Sequence, residues 1–266
     1  MTADLNRMLL EVTALARDAG QTILDVYAST FTVAEKEDRS PLTEADLRSE
    51  RLILAGLRRI APEIPVLSEE AAKVPWATRR NWSRLWVVDP LDGTKEFVQR
   101  NGEFTVNIAL VHDHRPVLGV VHAPVLERTY YACEGIGAFR SDAAASGQSI
   151  RVAKRGSGPV RVVGSRSHRG SSLDQFLERV GPHEFVEVGS SLKLCLVAEA
   201  RADVYPRLGP TCEWDTAAGQ CVLEQAGGQV LRLDGEPLDY NAREEVLNPH
   251  FVGIADADVD WLAMMR

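Results

Sequence analysis

The sequence predicts a mixed fold in which an α+β amino-terminal half is followed by an α/β half, packed as one compact unit of two lobes. A length of 266 residues is large for one domain but short for two full-length domains. Helical periodicity and short strand-like runs both occur along the chain. The small, polar stretch 141–148 has no periodicity, so we expect lobes at residues 1–142 and 143–266.

Two amphipathic helices are predicted first. Apolar residues recur every three or four positions from Leu5 to Ile23, which indicates one helix over roughly the first 28 residues. A second helix is predicted to begin after Thr43, its N-cap, and to end near Ile60, because Pro62 cannot continue it.

An antiparallel sheet is predicted to follow, and then alternating strands and helices. The apolar run 85–88 stops at Asp89-Pro90, as a buried strand does before a turn. Runs 104–111, 117–121 and 129–132 have the composition of further strands of this sheet. The second half alternates between predicted strands (160–163, 185–188, 202–205) and predicted helices (173–180, 191–199, 216–225).

Composition excludes several classes of protein. The formal net charge of -8 argues against a general binder of nucleic acid or of an anionic membrane. No apolar run approaches the ~20 residues that a membrane span needs. The four cysteines form no CxxC pair, and the amino terminus does not resemble a signal peptide. We therefore expect a cytoplasmic protein without a membrane span.

The densest chemistry lies in Asp89-Pro90-Leu91-Asp92-Gly93. Two carboxylates three residues apart, across a turn at the end of a buried strand, can converge on one point. Mg²⁺ prefers such oxygen ligands, and the carbonyl of Leu91 is a natural additional one. An ordinary turn sequence would explain a bare D-x-x-D equally well.

Two more acidic clusters lie at predicted element ends. Glu69 and Glu70 follow a short apolar run, and Asp215 stands just before a helix. Separately these are an ordinary solvated pair and an ordinary N-cap. On spacing alone, a two-metal phosphatase and these structural roles are equally well supported.

Two separated motifs resemble the signatures of the inositol-monophosphatase superfamily: residues 86–94 (WVVDPLDGT) and residues 214–219 (WDTAAG). Runs 67–70, 95–97, 100–110 and 189–193 resemble its CysQ-type branch, the 3'(2'),5'-bisphosphate nucleotidases. The resemblance extends from about residue 35 to 250 and implies a layered α-β-α-β-α sugar-phosphatase fold.

The resemblance also implies a metal site and a reaction. Two or three Mg²⁺ ions would be held by Glu69, Asp89, the Leu91 carbonyl, Asp92 and Asp215. Water activated by the metal would attack the phosphorus, with Glu69 and Thr94 orienting and deprotonating it. Asp46 would lie nearby as a partner of water or of a third metal. From the residues alone, Asp46 would equally well complete a capping box with Thr43.

Substrate-binding residues follow from the same resemblance. Residues 189–191 are predicted to open a helix that holds an anion, although a plain Ser-capped helix is the alternative. The polar loops 165–169 and 205–207 could be ordinary surface, but the resemblance implies that they hold a second phosphate and a base. In this interpretation Tyr205 stacks on adenine and Arg207 pairs with phosphate. The predicted set is Gly93, Thr94, Ser165, His168, Ser190, Ser191, Lys193, Tyr205 and Arg207.

The reaction implied is removal of the 3'-phosphate of adenosine 3',5'-bisphosphate, and of its sulfated form, in sulfur assimilation. The partner would be this small phosphorylated nucleotide, not a nucleic acid polymer, and a homodimer is common in the superfamily. The alternatives are an inositol monophosphatase, a fructose-1,6-bisphosphatase, or a non-catalytic regulator that binds a metal or a phosphometabolite. Residues 133–158 and the tail from Ala255 receive no role.

Overall fold

A computed structural model describes residues 2–35, 41–71, 74–143, 146–165 and 171–265. In chain order its elements are α1 (Thr2–Tyr27), β1 (Val33–Glu35), β2 (Pro41–Thr43), α2 (Glu44–Ile60), β3 (Val66–Ser68), α3 (Trp76–Arg79), β4 (Arg84–Asp92), α4 (Thr94–Val98), β5 (Thr105–His112), β6 (Arg115–Ala123), β7 (Arg128–Cys133), β8 (Gly137–Asp142), β9 (Gln148–Ser149), β10 (Val160–Ser165), α5 (Ser171–Val180), β11 (His183–Val188), α6 (Leu192–Ala198), β12 (Val204–Arg207), α7 (Glu213–Gln225), β13 (Gln229–Arg232), β14 (Phe251–Ile254) and α8 (Trp261–Met265).

The larger sheet has the strand order β3-β4-β5-β6-β7-β8-β9. All its neighbours are antiparallel except β3 and β4, which run parallel, so the sheet is mixed where a purely antiparallel one was predicted. The parallel pair arises because the chain returns from β3 to β4 through α3 and not through a hairpin. Strands β8 and β9 fall in residues 133–158, for which the sequence predicted no strand, and they extend into the two ends of the polar stretch 141–148.

The smaller sheet has the order β11-β10-β12-β14-β13. Its first three strands are parallel, as the alternating pattern of the second half predicts. Strand β14 is antiparallel to both of its neighbours. The parallel strands carry their carboxyl ends, including Ser165 and Arg207, to one edge of the sheet.

The two sheets and the helices form five layers. Alternate residues of β4 separate two cores: Trp86 and Val88 pack with α1 and α2, whereas Leu85 and Val87 pack with α6 and α7. The outer face of the smaller sheet packs against α5 and α8. The order is therefore α-β-α-β-α, as predicted. Helices α6 and α7, from the second half of the chain, share a core with the larger sheet of the first half, so the two predicted lobes do not have separate cores. The lobe boundary between residues 142 and 143 stays a prediction.

A bulge interrupts β4 where the acidic motif begins. The sequence predicts that this strand stops at Asp89, but it continues to Asp92. Asp89 pairs with Asn107 and Asp92 pairs with Thr105, with a register shift between them. The shift has a simple cause: Pro90 has no N–H to donate to the ladder. Both aspartates therefore stay on the sheet and are held by its pairing.

Among the residues that the structure describes, none of the helices combines the length and the apolar character required to cross a membrane.

Candidate active site

Three carboxylates converge at the junction of the larger sheet and α7. Oxygen atoms of Asp89, Asp92 and Asp215 lie within 4.8 Å of one another. Two of them come from the bulged end of β4 and the third from the first turn of α7. Asp215 is fixed there by its own helix, because its Oδ2 accepts a hydrogen bond from Cys212 N at 2.9 Å.

The electrostatics of this cluster favours a bound cation. Burial, and next the charge of Glu69, raise the pKa of Asp89 well above its usual range. Burial, and next the charge of Asp92, raise the pKa of Asp215 to about 8. Buried carboxylates that repel one another are compensated by a cation, and their hard oxygen donors suit a divalent ion. The residues present therefore fit a divalent metal ion.

Glu69 joins the cluster from the neighbouring strand. Its backbone N–H donates to the Val88 carbonyl at 3.1 Å, so Glu69 lies beside β4 next to Asp89, and its side chain hydrogen-bonds with that of Asp89. A hydrogen bond that holds the neighbouring residue Ser68 in place was not predicted from the sequence. Ser68 Oγ donates to Glu50 Oε1 at 2.8 Å, which ties this strand end to α2.

Asp46 makes the predicted capping contacts and also lies beside Thr94, while its role as a partner of water or of a third metal stays a prediction. Its Oδ2 accepts hydrogen bonds from the N–H and the hydroxyl of Thr43, at 2.8 and 2.6 Å, completing a capping box. Its Oδ1 lies 3.3 Å from Thr94 Oγ1, which also reaches the Leu91 carbonyl at 3.4 Å. The capping role is thus confirmed, and the same buried carboxyl group contacts the predicted catalytic threonine.

A cavity of ≈ 260 Å³ lies beside the carboxylates. It is lined by eight of the nine residues predicted to bind substrate, and the ninth, His168, lies outside the described residues. The eight are Gly93, Thr94, Ser165, Ser190, Ser191, Lys193, Tyr205 and Arg207. Asp92 and Asp215 form part of the same wall, so the cavity opens directly onto the carboxylate cluster.

The serines before α6 do not form the plain helix cap that was the alternative. Ser191 precedes α6, but its side chain makes no capping hydrogen bond. Instead its Oγ donates to Asn107 Oδ1 at 2.7 Å and lies 2.8 Å from Thr105 Oγ1. Ser190 has a positive φ of 49° and a buried Oγ with no partner among the described residues. Ser191 therefore braces the β4 aspartates through their strand partners, which sequence reasoning missed.

Lys193 is a buried cation of the cavity wall, only 6% exposed. Burial lowers its pKa to about 8, and the charge of Asp92 opposes this change. Its ammonium group donates to the Ser190 carbonyl and lies 5.7 Å from the ring centroid of Tyr205. Glu96, missed from sequence, is a further buried acid of this wall.

Tyr205 offers little surface on which a base could stack. The side chain is 3% exposed, Lys193 lies over its ring, and Phe251 meets it edge-on at a centroid distance of 5.7 Å. The predicted adenine stacking on Tyr205 is therefore not supported by the geometry. Arg207 is 9% exposed, donates to the Pro210 carbonyl, and has an Nε without a partner among the described residues.

Comparison with known proteins agrees with this arrangement. Residues 4–257 match the inositol monophosphatase family. A 3'(2'),5'-bisphosphate nucleotidase CysQ of Salmonella typhimurium is 50% identical over 246 residues, which are 92% of this chain and 98% of that protein. The crystal structure of CysQ from Bacteroides thetaiotaomicron superposes with a TM-score of 0.84 at 41% identity, covering 94% of this chain and 97% of that one. An IMPase of Thermotoga maritima gives a TM-score of 0.78 at 27% identity, covering 96% and 94%.

Proposed function

This chain belongs to the inositol monophosphatase family, and we propose that it removes the 3'-phosphate of adenosine 3',5'-bisphosphate to leave AMP, with the sulfated nucleotide as a second substrate. Its 50% identity to a curated relative over 92% of the chain makes it a 3'(2'),5'-bisphosphate nucleotidase, a phosphoric monoester hydrolase. One structural observation supports the substrate most strongly: two carboxylates of the cluster, Asp92 and Asp215, line the same cavity as two buried cations, Lys193 and Arg207.

We propose Mg²⁺ as the cofactor, bound as two or three ions. Its ligands would be Glu69, Asp89, the Leu91 carbonyl, Asp92 and Asp215. When bound, Mg²⁺ would neutralise the substrate, increase the acidity of water and stabilise the leaving oxygen. The close approach of Asp89, Asp92 and Asp215 supports this assignment.

The remaining chemistry belongs to the protein's own groups. Glu69 and Thr94 would orient the attacking water, and Glu69 would take its proton. Asp46 would fix the Thr94 hydroxyl, since the two oxygens lie 3.3 Å apart. Backbone N–H groups of Gly93 and Thr94 would donate to the phosphate, which stabilises charge as it develops on the oxygens.

Recognition of the second phosphate would fall to unpaired donors that line the same cavity. The free Nε of Arg207 and the free Oγ of Ser190 are donors with no partner among the described residues, so an anion would satisfy both. Lys193 adds a positive charge to the same cavity, and Ser165 and Ser191 are further polar residues of its lining. His168 is retained in this set from sequence alone.

An inositol monophosphatase or fructose-1,6-bisphosphatase would use the same carboxylates, and a regulator would bind without turnover. Phosphate release with Mg²⁺ should be measured in parallel for adenosine 3',5'-bisphosphate, inositol 1-phosphate and fructose 1,6-bisphosphate, with Asp89→Asn as the inactive control. Preference for the nucleotide, lost in the variant, supports the proposal. Preference for a sugar phosphate overturns the substrate, and absence of turnover favours the regulator. The homodimer and the cytoplasmic location stay predictions from sequence.

A further inference from the structure

A buried polar network lies behind the carboxylate cluster, outside the cavity. Glu213 is fully buried in the first turn of α7, two residues before Asp215. Both of its carboxylate oxygens accept the backbone N–H of Asn241, each at 2.9 Å. A buried carboxylate is costly unless it is paired in this way. The contact therefore holds the start of α7 against the turn that contains Asn241.

Asn241 connects this turn to Arg79. Its Nδ2 donates to the Arg79 carbonyl at 2.7 Å, and its Oδ1 accepts from Arg79 Nη1 at 2.9 Å. The guanidinium group also donates to the carbonyls of Arg243 and Glu244. Arg79 thus fixes the turn through four hydrogen bonds, three of them donated by a planar guanidinium fork that Lys could not replace.

The position of Arg79 in the chain gives this network its significance. Arg79 ends α3, the connection between β3, which leads to Glu69, and β4, which carries Asp89 and Asp92. The network therefore joins the part of the chain that supplies the first carboxylates to the helix that supplies Asp215.

The segment 246–248 adds a second attachment at the same place. Glu213 N donates to the Val246 carbonyl at 2.9 Å, and Asn248 N donates to the Thr211 carbonyl at 2.8 Å. Asn248 Nδ2 donates to the Cys212 carbonyl at 2.8 Å. Since Cys212 N donates to Asp215 Oδ2, the position of this carboxylate depends on the segment 240–248.

We propose that Arg79, Asn241 and Glu213 are positioning residues that set the distance of Asp215 from Asp89 and Asp92, and thereby the affinity for the divalent ion. This inference rests on the proposed function, in which these aspartates hold Mg²⁺. Groups behind metal ligands commonly change metal affinity by about 10–100-fold when they are removed. None of the three residues lines the cavity, so substrate affinity should be spared.

The variant Asn241→Gly tests the inference. Gly keeps the backbone N–H to Glu213, accepts the φ of 49° at this position, and removes both side-chain bonds to Arg79. Calorimetric titration of the metal-free protein with Mg²⁺ should show about tenfold weaker binding. The Mg²⁺ concentration for half-maximal turnover should rise equally, while kcat and the substrate KM at saturating Mg²⁺ stay near the unsubstituted values.

The matched pair Arg79→Met and Arg17→Met separates positioning from general destabilisation. Arg17 donates to Thr129 and Ser141 on the far side of the larger sheet, so its loss should lower the melting temperature without changing the titration. Arg79→Met should weaken Mg²⁺ binding, as Asn241→Gly does. The inference is overturned if the Asn241→Gly titration matches that of the unsubstituted protein, or if Arg17→Met weakens Mg²⁺ binding as much. If the protein binds Mg²⁺ but releases no phosphate, the proposed function is overturned. The Mg²⁺ titrations of the three variants would still test this inference.

Discussion

Thr94 and Asp46 meet across two elements: Thr94 Oγ1 in the first turn of α4 lies 3.3 Å from Asp46 Oδ1 in the first turn of α2. The second oxygen of Asp46 is occupied by the N–H and the hydroxyl of Thr43. One carboxyl group therefore caps a helix and fixes a threonine of the candidate active site.

Replacing Asp46 by Asn should reduce turnover more than stability. The amide can keep one acceptor for Thr43 but then presents an NH₂ group to Thr94, so we expect kcat to fall by about two orders of magnitude. Stability should fall by only about 1 kcal/mol, the usual effect of weakening a cap. The control Thr43→Ala removes a capping hydroxyl without touching Thr94, and should lower the melting temperature while keeping turnover. Similar kcat values in both variants would contradict the prediction.

Thr94→Val should abolish most activity in a folded protein. Val has the shape of Thr without its hydroxyl, so the group that is proposed to orient water is lost. We expect kcat to fall by about 10²–10⁴-fold, with little change in melting temperature. Thr94→Ser keeps the hydroxyl and should retain much of the activity. Steady-state kinetics at saturating Mg²⁺ would check this, and an active Thr94→Val enzyme would remove the residue from the mechanism.

Removing divalent ions should destabilise the protein more at high pH. Burial and neighbouring carboxylates raise the pKa of Asp215 from 3.8 to about 8. A carboxyl group with a raised folded pKa supports folding below its unfolded pKa, and this support is lost as the pH rises through the folded value. The difference between melting temperatures in Mg²⁺ and in EDTA should therefore be larger at about pH 8.5 than at about pH 6. An equal difference at the two pH values would contradict the raised pKa of Asp215.

Arg207→Met should weaken binding of a bisphosphate while the metal site stays intact. Loss of a charge-assisted hydrogen bond costs about 1.5–3 kcal/mol, so the KM for adenosine 3',5'-bisphosphate should rise at least about tenfold. The KM for a monophosphate should change far less. Arg232→Met provides a control, since Arg232 pairs with Asp234 and Asp239 away from the cavity. A uniform rise for both kinds of substrate would argue against a second phosphate site at Arg207.

His122 should make the protein sensitive to acid, independently of the active site. Burial, with a smaller effect of the Arg17 charge, lowers the pKa of His122 from 6.5 to about 4. Unfolding therefore takes up a proton between these values, and stability is lost as the pH falls through this window, by up to about 1.4 kcal/mol per pH unit. His122→Asn should flatten this dependence in denaturant titrations at about pH 6.5 and about pH 4.5. The same change at the exposed His183 should leave it unaltered.

The layers of the fold could be predicted because the relevant patterns are local. The stripe from Leu5 to Ile23 and the cap at Thr43 specify α1 and α2 within a few residues. Strands β8 and β9 were missed, because Arg140 and Asp142 break any apolar alternation there. The extension of β4 past Pro90 was also missed, since it depends on pairing with β5 and not on the strand's own composition.

The residues of the candidate site, like the elements of the fold, could be predicted where they lie in local motifs and were missed where they depend on distant contacts. Its carboxylates lie in short motifs, so the convergence of Asp89, Asp92 and Asp215 could be predicted from sequence, while their role as metal ligands stays a prediction. The groups behind them, Asn107 and Arg79, were not predicted. Arg79 and Asn241 are separated by 162 residues, and no local pattern indicates that they pair.

This separation has a consequence for how the enzyme matures. A chain emerging from the ribosome contains all five proposed metal ligands once Asp215 has been made, but the segment 240–248 that holds α7 in place comes later. Contacts between distant parts of a chain form slowly, after the local elements. Metal capture should thus be a late event of biogenesis, and an occupied site would report that the carboxyl-terminal part of the chain has docked.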